Sequence, residues 1–237
     1  MNGKQDDTYE VKKRPKVLFF DVNETLLDLT VVKKEVGKAL GGNEGLLSLW
    51  FTTFLQYSLV TSAGGQSKPF GHIGAAALQM VAANNGIILS EQKAREIVVE
   101  SMQNLVPHPE VIDTLTLLKK EGFTIVAFTN SSKDSLVNKF NNTGLTEYFD
   151  ELLSIEPVGK FKPFHDTYTW GAKKMGVRPE ECMLIAAHGW DVAGALWAGW
   201  RAAFIARPGQ QLYPLAPNPE VVAPDLKKMA EIIITYT

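Results

Sequence analysis

The chain has 237 residues, 45% of them hydrophobic and 21% charged, enough for one large core or a core carrying an insertion. Its net charge of -2 supplies no basic field, which argues against nucleic acid or an anionic membrane as a partner. The one cysteine, Cys182, rules out an intramolecular disulfide and speaks against a cysteine-built zinc site.

Residues 1–15 are polar, lack the apolar segment of a secretory signal and read as a flexible leader. No apolar stretch approaches the ~20 residues of a membrane helix, and the expected setting is cytoplasmic. The first element is the run VLFF, Val17 to Phe20, which ends directly on Asp21. A short continuous apolar run of this kind suits a parallel strand buried on both faces. Residues 30–106 break the pattern with helix-like stretches (TVVKKEVGKAL, GLLSLWFTTFLQYSLV and LSEQKAREIVVESMQNL), interrupted by SAGGQSKPFGHIG, which reads as a Gly-rich loop. Strand and helix then alternate. In HPEVIDTLTLLKKEG the residues Val111, Leu115 and Leu118 share one face and Gly122 is a stop signal. FTIVAFTN (123–130), SSKDSLVNKFNNTG, FDELLSI (149–155), FHDTYTWGAKKMG, CMLIAAH (182–188), WDVAGALWAGW and RAAFIAR (201–207) continue the series. The expected fold is an α/β, doubly wound, Rossmann-like parallel sheet, with residues 16–29 and 107–237 forming the core and 30–106 a helical cap inserted after strand one.

Ligands of open α/β sheets bind beyond the carboxyl ends of the strands. There the sequence places Asp21, Thr129 and Asn130, His188 and Asp191, with Lys160 and Lys162 following the third strand. A carboxylate, small polar groups, a cation and a second acid thus share one sheet edge. Each has a structural alternative: a turn-capping Asp21, a solvated lysine, or Thr129 and Asn130 as a helix N-cap.

The blocks DVNET, TN, FKP and AAHGWD, in this order over residues 16 to about 215, resemble the signature motifs of the haloacid dehalogenase (HAD) superfamily. Phosphatases of that superfamily carry an acid two residues after the nucleophile and two acids four residues apart in the last motif. This chain has Asn23 in the first place, and Ala187 before Asp191 in the second. The segments Trp190-Asp191, FKP, and SLW followed by LQYS are closer to the type II 2-haloacid dehalogenases, which need no metal or other cofactor.

The resemblance implies hydrolysis of a small 2-haloacid, with release of halide, through an ester on Asp21. Lys162, chosen over Lys160 for the adjacent Pro163, would offset the charges of Asp21 and Asp191 and keep both ionised. Thr129 and Asn130 would bind the substrate carboxylate and the halide, with the backbone N–H groups of Val22 and Asn23 completing an anion cradle. Thr25 would orient the nucleophile, Asp191 would serve the water step, and Trp190 would form an apolar wall. Among the aromatics of the cap, Phe51 and Tyr57 rank before Phe54 and Phe70 as pocket residues.

Three positions depart from the dehalogenase pattern. Phe51 replaces an arginine, Ala186 and His188 replace a serine and an asparagine, and Glu24 replaces a small residue. The expectation drawn from the last two is a catalytic pair, with Glu24 orienting His188 and His188 activating water. A Mg²⁺-dependent phosphatase of a small phosphate ester and a non-catalytic anion-binding HAD-fold protein are the alternatives. A homodimer is compatible with such a fold, and no residue specifies one.

Overall fold

The computed structural model describes residues 12–237; the rest of the expected leader, residues 1–11, lies outside the described residues. Residues 12–14, read as leader, are tied to the far end of the chain. The Arg14 N–H donates to the Thr237 carbonyl at 2.9 Å, and the Thr237 N–H donates to the Lys12 carbonyl at 3.1 Å.

The elements run β1 (Val17–Phe20), β2 (Leu27–Asp28), α1 (Thr30–Ala39), α2 (Glu44–Ala63), α3 (Phe70–Asn84), α4 (Glu91–Arg95, continuing as a π turn to Glu100), β3 (Val106–Pro107), α5 (Val111–Lys120), β4 (Thr124–Thr129), α6 (Lys133–Thr143), β5 (Glu151–Ser154), α7 (His165–Lys174), β6 (Cys182–Ala186), α8 (Gly189–Trp197), β7 (Arg201–Ile205), β8 (Val221–Ala223) and α9 (Leu226–Ile233). Six strands form one sheet in the order β5-β4-β1-β6-β7-β8. All its neighbours are parallel, with Phe20 level with Ala127 on one side and Ile185 on the other. The central strand β1 is buried along its whole length, which is why its sequence is continuously apolar. The edge strand β8 and helix α9 extend the alternation beyond the elements expected from the sequence.

Helices α1 to α4 leave and re-enter through a two-residue antiparallel pair, Leu27 opposite Pro107 and Asp28 opposite Val106. The stretch expected as a Gly-rich loop is helical from Phe70 onward. Its glycine at position 74 serves close packing: a Cβ there would press on the Phe54 ring at 3.2 Å, and the Gly74 carbonyl accepts the Trp50 indole N–H at 2.9 Å. The helical insertion rests on the sheet's carboxyl edge. Phe70 meets Phe161 with ring centroids 5.2 Å apart, and the Ser62 hydroxyl accepts the Phe161 N–H at 3.0 Å.

Candidate active site

Strand β1 delivers Asp21 to the middle of the sheet edge, with its carboxylate 93% enclosed (side-chain exposure 7%). Oδ1 accepts from Lys162 Nζ at 3.0 Å; Oδ2 accepts from Thr25 Oγ1 at 2.8 Å and contacts His188 Nδ1 at 3.1 Å. Burial alone would raise the pKa of Asp21, but the Lys162 charge and the hydrogen bonds from His188 and Lys162 hold it far below the usual carboxylate range. An ionised carboxylate only accepts, so Nδ1 carries the His188 hydrogen, and in the neutral ring Nε2 keeps a lone pair. Nε2 is buried and has no hydrogen-bond partner.

Lys162 is anchored by three acceptors: Asp21 Oδ1, the Phe128 carbonyl at 3.0 Å and Asp191 Oδ2 at 2.5 Å. Burial would lower its pKa, and the two carboxylates override this and raise it. Asparagine 130 fixes the lysine's backbone, its Oδ1 accepting the Lys162 N–H at 2.9 Å. That commits the Asn130 carbonyl oxygen to positioning, while its NH2 group, held only by a 3.5 Å contact to the Lys162 carbonyl, stays on the cavity wall as a donor. The competitor, Lys160, is paired with Asp166 near the surface.

Asp191, in the first turn of α8, has no exposed surface; burial and the nearby Asp21 raise its pKa in spite of Lys162. Lys162 thus opposes the cost of burial at both carboxylates, with the larger effect at Asp21. The other Asp191 oxygen accepts from the Tyr168 hydroxyl at 2.6 Å. Burial and the neighbouring Asp191 push the Tyr168 pKa well up, so the phenol stays a donor. A glycine at position 194 makes this contact feasible, since a Cβ there would sit 2.6 Å from the Tyr168 hydroxyl.

The expected His188–Glu24 pair does not form. Glu24 has φ +65°, a left-handed turn that aims its side chain at α1, where Oε1 pairs with Lys33 Nζ at 2.9 Å. His188 turns the other way and lies between Phe51 and Trp190, with ring centroids at 6.2 and 5.1 Å. The turn is braced through its carbonyls. Glu24 O contacts His108 Nε2 at 2.9 Å, and Thr25 O accepts from Arg207 at 2.9 Å. Thr25 Oγ1 also accepts the Ala187 N–H at 2.9 Å, joining the β1 loop to the β6 loop.

A cavity of about 30 Å³ opens on Asp21 and is walled by Asn23, Thr129, Asn130, Phe51, His188 and Trp190, with Phe54, Phe70 and Met102 on its insertion side. Val22 is wholly buried and does not line this cavity. Tyr57 is misplaced by the sequence reading. It is 38% exposed, because six helical positions from Phe51 carry it about 240° around α2, away from the cavity. The sequence reading also passed over Tyr168, His108, Arg207 and Lys139. For Lys139 a signal existed: it shares the buried stripe of α6 with Leu136 and Phe140, an unusual place for a cation.

Among the described residues, no group of three or more His, Cys, Asp or Glu side chains is placed to hold a metal ion, and no helix is long and apolar enough to cross a membrane.

The (S)-2-haloacid dehalogenase 1 of Pseudomonas sp. (strain CBS-3) is 27% identical over 220 residues, covering 92% of this chain and 96% of that protein. The (S)-2-haloacid dehalogenase of Xanthobacter autotrophicus is 28% identical over 197 residues, covering 83% of this chain and 77% of that protein. In fold, the chain superimposes on the solved L-2-haloacid dehalogenase from Xanthobacter autotrophicus with a TM-score of 0.85 at 24% identity, covering 94% of this chain and 100% of that one. The form of that enzyme with chloropropionic acid covalently bound gives 0.84 at 24% identity, covering 92% and 98%. The sequence pattern of the haloacid dehalogenase-like hydrolases matches residues 15–199, and the chain belongs to that family.

Proposed function

We propose that the protein hydrolyses short 2-haloalkanoic acids to 2-hydroxy acids through an ester on Asp21. The observation that carries this reading is the buried Asp21 carboxylate, with donors on both oxygens and a narrow aromatic cavity before it. The named activity of the (S)-2-haloacid dehalogenase relatives supports the same choice.

In the first step an Asp21 oxygen attacks the α-carbon, the carbon–halogen bond breaks and halide leaves. The carboxylate oxygen that becomes the ester carbonyl keeps at least one donor in either case, Lys162 or the Thr25–His188 pair. Water then adds to the Asp21 carboxyl carbon, and the 2-hydroxy acid departs with its ester oxygen while Asp21 is regenerated. One proton of the water goes to His188 Nε2, the unpartnered base, which returns it to the departing ester oxygen to complete the hydroxyl; the other is released to solvent as the Asp21 carboxyl ionises. Lys162 and Asp191 hold the charge balance, and Thr129 and the Asn23 N–H group face the anion. The Asn23 amide can donate a hydrogen bond but cannot transfer a proton to a phosphate leaving group, so the site suits displacement of halide better than phosphoester cleavage. Residues 30–106 act as a cap over the core of 16–29 and 107–237, and the lone buried thiol fits a reducing, cytoplasmic setting.

Halide release from chloro-, bromo- and iodoacetate, with chelator present, tests the reading. The wild type is expected to release halide and Asp21→Asn to release none. Silence toward every haloacid together with Mg²⁺-dependent phosphate release would reverse it.

A further inference from the structure

The proposed reaction brings an anion to a site that already carries Asp21 and Asp191 against one cation. Lys162 has no capacity left for a third carboxylate, since its three protons go to Asp21, Asp191 and the Phe128 carbonyl. An anionic haloacid therefore meets net repulsion unless a second cation is close.

Lys139 is that cation. It lies on α6 with 2% of its surface exposed, yet its Nζ meets only two neutral groups, Asn23 Oδ1 and Ser131 Oγ, both at 3.2 Å. An ammonium has three protons to give, so one donor position is open. A buried lysine without a carboxylate partner is costly to a fold, and burial pulls its pKa down to about 8 even though the Asp21 charge works in the opposite direction.

The cavities explain what that position faces. A cleft of about 220 Å³, lined in part by Lys139, Ser131 and His72, abuts the 30 Å³ cavity at Asp21. Asn23, Phe70 and Met102 line both, so the two spaces adjoin there. Asn23 thus touches Lys139 on one side and the Asp21 cavity on the other.

We propose that Lys139 is the substrate-recruiting cation: it draws the haloacid carboxylate through the larger cleft and holds it beside Asn23, with the halogenated carbon turned toward Asp21. The assignment rests on the dehalogenase reading for the identity of the substrate, but the carboxylate-binding role stands on the geometry alone. Lys139 acts on substrate placement and takes no part in bond making. The charged and titratable groups around it are Asp21 beyond Asn23, Asp134 on its own helix, and His72 on α3.

The test uses Lys139→Met and Lys139→Arg in the full chain. With chloroacetate, Lys139→Met should raise KM about tenfold or more while kcat falls much less, and Lys139→Arg should recover most of the loss. Wild-type 1/KM should fall as pH rises through about 8, where Lys139 loses its proton, and this break should vanish in Lys139→Met. A wild-type KM, or a persisting break, in Lys139→Met would overturn the assignment. Calorimetric binding of propionate, which carries no halogen, separates the two ideas. Propionate binding that weakens in Lys139→Met, in a protein that releases no halide, would leave Lys139 standing and remove the dehalogenase reading. Halide release with equal propionate affinity in both proteins would do the reverse. If Lys139→Met does not fold, as judged by thermal melting, the wild type still decides: propionate affinity unchanged between pH 7 and 9 overturns the proposal.

Discussion

Tyr168 reaches the chemistry only through Asp191, and this makes its contribution separable. Its hydroxyl donates to Asp191 Oδ1 and holds down a pKa that burial and Asp21 push up. Removing that donor in Tyr168→Phe raises the Asp191 pKa further, so the acid limb of the pH–rate profile should move to higher pH. A drop in kcat of roughly tenfold should accompany it, the scale of one lost buried hydrogen bond to a charged group. A pH–rate profile that superimposes on the wild type would show that Asp191 does not depend on the phenol. Glu24 illustrates the opposite relation of residue to site. The sequence puts it next to the nucleophile's turn, but its left-handed backbone, φ +65°, sends the carboxylate to Lys33. Side-chain direction there depends on a single backbone dihedral that residue types do not reveal, whereas Asp21 is placed by a whole strand. That is why the position of Asp21 was legible and the supposed His188–Glu24 pair was not.

At the scale of elements, periodicity was informative where one face is buried and misleading where a helix is apolar all round. α2 contains Trp50, Phe51, Phe54 and Tyr57 within two turns, and aromatic content alone ranked Phe51 and Tyr57 together. The helix instead buries Trp50 and Phe54 and leaves Tyr57 38% exposed. Truncation should expose the difference: Phe54→Ala should destabilise by about 3–5 kcal/mol, while Tyr57→Ala should change stability by about 0.5 kcal/mol or less. Chemical denaturation measures both, and equal losses would contradict the packing described. The same limit applies to α3, where glycines that permit close helix contact read as a loop in the sequence. On α6 the sequence carried a usable anomaly, a lysine on the apolar stripe, that periodicity treats as noise.

Across the whole molecule, the order of strand ends set most of what could be foreseen. Strands β4, β1 and β6 are adjacent in the sheet, so Thr129, Asp21 and the segment leading to His188 and Asp191 had to converge. The residues that complete the site from outside the strand ends, Tyr168 on α7, Arg207 after β7 and Lys139 on α6, depend on how helices and loops seat against that sheet. No local pattern encodes that seating for Tyr168 and Arg207, and only Lys139 leaves a local trace, as a cation on the apolar stripe of α6. The edge strand β8, three residues long, is too short to leave a period, whereas α9 does carry one in Leu226, Met229, Ala230 and Ile233.

The single ammonium of Lys162 binds atoms contributed by β4, by the end of β1 and by the start of α8. It therefore acts as a rivet that joins two neighbouring strands of the sheet to the helix that follows a third. Catalytic competence and global cooperativity then become one property. In a urea titration, halide release should disappear at the same midpoint as the circular dichroism of the fold, with no inactive folded form before it. Activity lost at clearly lower urea would mean that the rivet parts first, and that the site has a stability of its own.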